Sequence, residues 1–261
     1  MLLTDGRRVG ITAGSHAVIG NLLDKVAHEC GGTLPNAVQK VSELIQGADL
    51  DGLTVTKKNE EVDGALDAGV RLVAGTGWLF AREEMDQRLD VLVVDEAGQL
   101  ALADALACSA AAANLVLVGD PQQLPQPLQG SHPPGAEASA LRHLLGDHPV
   151  IPADRGLFLD QTFRLHPHIA RFVSGIAYDD ELEATADRHR QAVGGDGDLS
   201  GAGLRWRPVV HEGNRTSSRE EADVVAEVVG GLLTRSWWDH EGAAHPLDAH
   251  SGVVVVAPYN A

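Results

Sequence analysis

Val91-Leu92-Val93-Val94-Asp95-Glu96-Ala97-Gly98-Gln99 is the stretch on which the fold of this chain turns. Four consecutive branched apolar residues with no polar alternation describe a strand buried on both faces, the condition of a parallel sheet covered by helices. Two carboxylates follow at once. At the carboxyl end of a parallel strand, side chains emerge into the crevice where α/β sheets hold ligands. Adjacent carboxylates there suit nucleotide hydrolysis, one holding Mg²⁺ and the other orienting and deprotonating water. The same pair also suits a strand-to-helix turn in which Asp95 or Glu96 caps the next helix.

Similar apolar runs lie on either side: Val9-Gly10-Ile11-Thr12, Val70-Arg71-Leu72-Val73, Leu115-Val116-Leu117-Val118 and Val253-Val254-Val255-Val256. Between them, apolar spacing predicts helices over 16–27, 100–112, 166–177 and 218–233, and a short one over 138–145. This pattern specifies an α/β chain of parallel sheets covered by helices. A proline-rich loop ends near Pro152-Ala153-Asp154, which divides the chain into 1–153 and 154–261. The glycines between 194 and 203 read as a flexible stretch inside the second part.

A second strand ends in polar groups. Leu115-Val116-Leu117-Val118 runs into Gly119-Asp120-Pro121-Gln122-Gln123-Leu124-Pro125. A neutral amide such as Gln123 can bond a phosphate oxygen without adding charge, although a Gly-Asp-Pro turn before a polar loop gives the same letters.

The 261 residues, 44% hydrophobic and 22% charged, suffice for one large or two small cores and hold no apolar run near the length of a bilayer span. Met1-Leu2-Leu3-Thr4-Asp5 does not form the core of a secretion signal. Cys30 and Cys108 make neither a disulfide framework nor a four-ligand zinc site, so the expected location is the reducing cytoplasm, with no membrane partner. A net charge of −17 excludes a generally basic grip on nucleic acid and leaves room for a local track. The four lysines, Lys25, Lys40, Lys57 and Lys58, follow Asp24, Gln39, Thr56 and Lys57, so no Gly-Lys pair and no phosphate-cradling P-loop exists in the sequence.

Taken together, these segments resemble superfamily 1 helicases of the AAA-type, Upf1/Dna2-like branch. Asp95-Glu96-Ala97-Gly98-Gln99 resembles motif II, Gly119 to Pro125 motif III, and Gln161-Thr162-Phe163-Arg164-Leu165-His166-Pro167 motif IV. Val9 to His16 resembles motif Ia, Val73-Ala74-Gly75-Thr76 the next nucleic-acid-contacting motif, and Val256 to Ala261 the strand end before motif V. The resemblance implies two RecA-like domains, both incomplete here, with ATP and Mg²⁺ as cofactors and single-stranded DNA or RNA as partner. It implies Asp95 as the Mg²⁺ ligand, Glu96 as general base, Gln123 as γ-phosphate sensor, Arg164 as a cation from the second domain and Phe163 as a ring against adenine. Thr12, Ser15, His16 and Thr76 would contact the nucleic-acid backbone. From the residues alone, Arg164 also suits a surface arginine capping a helix, and Phe163 a core aromatic. His166, before Pro167 at a helix start, reads as structural.

The P-loop, motif V and motif VI with its arginine finger have no counterpart in the sequence, and Gln126 stands where the family usually has a second proline. The expectation is an internal segment of a helicase, its remaining parts on adjoining sequence, inactive alone. Its first sheet would carry a slot where the P-loop strand belongs. A non-catalytic remnant acting as a nucleic-acid or protein interaction module is the other reading. The flanking DNA decides between them: an in-frame G-x-x-x-x-G-K-[ST] is expected within roughly 40 residues upstream of Met1, since a βαβ unit takes about 30 residues or more. An unrelated gene or a promoter there would contradict the segment reading.

Overall fold

The structure, a computed structural model, describes residues 1–124, 138–248, 250 and 252–258. The backbone gathers into two compact units, Met1–His148 and Pro149–Ala261. In the first unit the strands are β1 (Val9–Thr12), β2 (Ala37–Lys40), β3 (Leu53–Thr56), β4 (Leu72–Ala74), β5 (Leu89–Val94) and β6 (Ala112–Leu117). The helices are α1 (His16–Glu29), α2 (Asn59–Asp67), α3 (Gly77–Phe80), α4 (Leu102–Ser109) and α5 (Ala140–Leu145). All six strands are parallel, in the order β3-β2-β4-β1-β5-β6. This is the α/β, RecA-like arrangement that the apolar runs and the motifs imply.

Side-chain alternation along the strands builds the three layers. Val9, Ile11, Leu72 and Ala74 face Ile19, Leu23 and Ala27 of α1. Val38, Val73, Leu92 and Val94 face the other way, against Val62 and Leu66 of α2, Leu79 and Phe80 of α3 and Cys108 of α4. Gly10, at the centre, is small for a reason: a Cβ there would lie 2.6 Å from Leu89 Cδ1 and 2.8 Å from Leu92 Cδ1.

β2, β3 and α2 are absent from the apolar-run reading. Ala37-Val38-Gln39-Lys40 contains two polar residues, and Leu53-Thr54-Val55-Thr56 alternates as an edge strand does, so neither stands out as a continuous apolar run. The expected slot in the sheet is corrected as well. β1 is bonded to both β4 and β5, so the sheet is continuous, and the unpartnered edge lies at its rim. There β6 pairs with β5 alone among the described residues, and Leu115, Val116 and Val118 are exposed.

The second unit is built differently from the expected parallel sheet. Its elements are β7 (Gln161–Thr162), α6 (Pro167–Ala177), β8 (Glu183–Ala184), β9 (Ala192–Val193), α7 (Arg219–Leu232), β10 (Ser236–Trp238) and β11 (Ala244–Pro246). β7 and β8 form a two-residue parallel ladder, and β9, β10 and β11 form a small antiparallel sheet. Val253 to Val256, expected as a strand, pairs with nothing among the described residues, and Val254, Val255 and Val256 are exposed. An all-apolar run becomes a buried strand only where neighbours bond its edges and helices cover its faces; none does so here. The glycine-rich stretch, expected to be flexible, closes around Arg205, whose guanidinium donates to the carbonyls of Asp198, Ser200 and Ala202. His166 is structural: its Nδ1 accepts from His168 N at 3.1 Å and caps α6. Pro125, Gln126, His132 and Tyr259-Asn260-Ala261 lie outside the described residues.

The contrast between centre and rim gives a test. Leu92→Ala on β5 removes a fully buried side chain and is expected to cost about 2–5 kcal/mol. Val116→Lys on β6 should stay within about 0.5 kcal/mol of the parent and reduce self-association by blunting an exposed edge. Urea unfolding and light scattering on both variants check this.

Candidate active site

From β1 the chain passes through α1 to β2 on one side of the sheet, and from the adjacent β5 through α4 to β6 on the other. The connections diverge between these two strands, which is where an open parallel sheet forms its ligand crevice. A small cleft of about 30 Å³ opens there, lined by Thr12, Ala13 and Gly14 after β1, Asp95, Glu96 and Gln99 after β5, and Gly77 and Cys108. Cys108 belongs to its floor. The thiol donates to Gly77 O at 3.4 Å, and burial, with Asp104 nearby, pushes its pKa up to about 11, which makes it unreactive.

The turn after β5 is shaped by three backbone features. Glu96 adopts a left-handed conformation, φ +56°, uncommon for a residue with a side chain. Its N–H donates to Asp95 Oδ1 at 3.0 Å, and Asp95 N donates to Thr12 O at 2.9 Å. The turn then presses against the one after β6: Ala97 N donates to Val118 O at 2.9 Å, and a Cβ on Gly98 would stand 1.9 Å from Asp120 O. A Cβ on Gly119 would likewise meet Ala97 N at 2.7 Å.

This packing brings the predicted residues together. Gln99 Nε2 lies 3.1 Å from Gln123 Oε1 and 3.4 Å from Glu96 Oε2, so one amide bridges the two strand ends. Gln99 carries no role in the sequence reading, though it stands four residues after Asp95 in the quoted stretch. Among the described residues no group of three His, Cys, Asp or Glu side chains could hold a metal. The donor set at Asp95 and Glu96 fits Mg²⁺ arriving with nucleotide phosphates, since Mg²⁺ commonly takes one or two carboxylates and completes its shell with phosphate and water.

The four predicted nucleic-acid contacts lie along the same carboxyl rim. Thr12 is only 2% exposed and supports the cleft from beneath. Ser15 caps α1, its Oγ accepting from Val18 N at 3.3 Å. His16 is half-buried, with no partner for Nδ1 among the described residues; burial first, and the charge of Lys40 second, lower its pKa. Thr76 heads α3 with no hydrogen bond from its side chain to the helix. Arg164 and Phe163 belong to the second unit, just after β7. Arg164 N donates to Thr162 Oγ1 at 3.2 Å, and Phe163 is 67% exposed, hence not a core aromatic.

With this geometry in place, the comparisons define a class first. Residues 54–128, from β3 through the Asp95 and Gln123 turns, match the profile of an AAA domain. More particularly, the chain is 28% identical over 138 residues to the 5'-3' DNA helicase ZGRF1 of Mus musculus. That alignment covers 52% of this chain and 7% of the helicase. Both matches are consistent with the resemblance to superfamily 1, Upf1-like helicases.

The close approach of the two turns is testable through glycine. Gly98→Ala should destabilise the first unit by about 1–3 kcal/mol, because its Cβ meets backbone. Gly20→Ala in α1, where nothing lies within 4 Å, should stabilise by about 0.5–1 kcal/mol. Denaturant midpoints with opposite signs are the expected result.

Proposed function

We propose that the chain is a segment of an ATP-dependent DNA or RNA helicase, in which nucleic-acid-stimulated nucleoside triphosphate hydrolysis is coupled to movement along a strand. The observation that carries this reading is the pair Asp95 and Glu96 at the β1/β5 crevice, joined through Gln99 to Gln123 after β6. In this reading Asp95 holds Mg²⁺, Glu96 deprotonates the attacking water and Gln123 senses the γ-phosphate. Arg164 supplies a cation to the transferred phosphoryl group, and Phe163 offers its ring to adenine. Ser15, His16 and Thr76 contact the nucleic-acid strand, with the buried Thr12 beneath them holding the Asp95 turn. The work is assigned to the cytoplasm.

The bound ATP–Mg²⁺ would supply the phosphoryl group and its charge neutralisation. This sequence has residues for the metal and the water, and none for the phosphate cradle, because it lacks a Gly-Lys pair. We therefore assign the cradle to a further strand-loop-helix unit that pairs with the edge of β6 left open among the described residues, extending the parallel sheet past Gln123. The second reading, a non-catalytic helicase-like module, is favoured by the same missing lysine.

The 261-residue chain alone is expected to show no ATPase above background with single-stranded DNA or RNA. Turnover near 1 s⁻¹ or faster, an ordinary enzymatic rate, abolished by Glu96→Gln, would contradict that. In a protein extended by its P-loop segment, Glu96→Gln should keep ATP-analogue binding while hydrolysis falls by roughly 10² or more. Arg164→Ala should slow hydrolysis and unwinding together. An extended protein that binds no ATP analogue would leave the non-catalytic reading standing.

A further inference from the structure

Gln99 has been assigned no part in the chemistry, yet its side chain is held between two groups that have one. Its backbone N donates to Glu96 O at 2.9 Å, so the side chain starts from a fixed point, half-buried in the cleft that it lines with Asp95 and Glu96. Its Nε2 then lies 3.4 Å from Glu96 Oε2 and 3.1 Å from Gln123 Oε1. A carboxamide has one end that only accepts hydrogen bonds and one end that only donates them, and the two ends are nearly the same size. Shape therefore does not decide which way such a group lies; its neighbours do.

Glu96 decides it here. A carboxylate has acceptors and no donor, and a carbonyl oxygen turned towards it would set lone pairs against lone pairs. Gln99 must turn its Nε2 to Glu96. The same Nε2 faces Gln123, so Gln123 in its turn presents Oε1. The two donors on Gln123 Nε2 are left over, and they bond to no group among the described residues. A carboxylate on the β5 turn thus sets the direction of an amide on the β6 turn, through one intervening side chain.

Resting on the ATP reading above, we propose that Gln99 is a positioning residue that fixes the polarity of Gln123, so that Gln123 offers N–H donors to the terminal phosphate of a nucleoside triphosphate. A terminal phosphate presents acceptor oxygens. An amide lying the other way would meet it oxygen to oxygen, so the choice of end separates attraction from repulsion. Gln99 engages Oε2 of Glu96 and leaves Oε1 to accept from water. One side chain in this way sets both the group that meets the phosphate and the free oxygen of the group that meets the water.

Two measurements test this. In the 261-residue chain without nucleotide, exchange of the side-chain amide hydrogens is followed by NMR. Those of Gln123 should exchange as in an exposed amide, and those of Gln99 should be slower by roughly 2- to 10-fold, the scale of one ordinary hydrogen bond. The reverse order would mean that Gln123 turns its donors inward, and would overturn the proposal.

In the protein extended by its P-loop segment, the ratio of ATP-analogue to ADP affinity is measured for the parent, Gln99→Glu, Gln99→Met, Gln123→Ala and the double variant Gln99→Glu/Gln123→Ala. A carboxylate at position 99 only accepts, so it draws in the donors of Gln123 and turns the carbonyl outward; the ratio should fall roughly 10-fold. Gln99→Met keeps the length without the polarity and should fall between Gln99→Glu and the parent. On the Gln123→Ala background, Gln99→Glu keeps its charge and loses the amide it acts through, so its further effect should be much smaller. Equal falls on both backgrounds would show that charge alone acts and would overturn the proposal while the ATP reading stands. If the extended protein binds neither nucleotide, the ATP reading falls and the phosphate role of Gln123 falls with it.

Discussion

The site depends on one close contact between two strand-end turns. Ala97 N bonds Val118 O at 2.9 Å, and Gly98 and Gly119 leave no room for a Cβ between the turns. Because side chains are missing there, backbone meets backbone, and the ends of β5 and β6 are held at a fixed spacing. Gln99 can then reach both Glu96 and Gln123. Glu96 is carried into the left-handed region at a cost of order 1 kcal/mol. That cost is offset locally, by Glu96 N donating to Asp95 Oδ1 and Glu96 O accepting from Gln99 N at 2.9 Å.

The same arrangement explains why the first unit is firm at its centre and open at one side. Central strands have helices on both faces, whereas Leu115 and Val116 of β6, and Val118 just after it, are exposed beside an edge that no described strand pairs with. Natural sheets usually blunt such edges with charge, proline or a covering element. An apolar parallel edge beside the turn that bears Gln123 is suited to receiving another parallel strand. The acidic surface elsewhere opposes indiscriminate association.

How much of this could be read in the sequence follows from what each feature leaves in it. β1, β4 and β5 were legible because strands buried on both faces are apolar over most of their length, and β6 by a similar apolar run although its outer side is exposed. β2 and β3 were not, since Gln39 is a buried polar residue whose Oε1 accepts from Ala48 N, and β3 alternates as an edge strand. Val253 to Val256 misled for the converse reason: apolar composition describes a strand only when neighbours exist to pair with it. Asp95, Glu96 and Gln123 stood out by following apolar runs. Gln99 did not, because its role arises from a contact between residues 24 positions apart.

The end of β1 ties the strand ends on its two sides together. Thr12 O accepts from Asp95 N on one side, and Ile11 O accepts from Gly75 N at 3.1 Å on the other. Ala13 and Gly14 then lead directly to Ser15 and His16 at the head of α1. A displacement of the Asp95 backbone must therefore either move Thr12, and with it the start of α1, or break the 2.9 Å bond between them. Breaking it would leave Thr12 O, on a residue 2% exposed, without that donor, at a cost of about 1–3 kcal/mol. Moving together carries Ser15, and its bond to Val18 N, along with Thr12. Strain introduced at Asp95 is thus passed first to Ser15 and His16 along covalent backbone, with Gly75 and Thr76 reached through the next rung of the sheet.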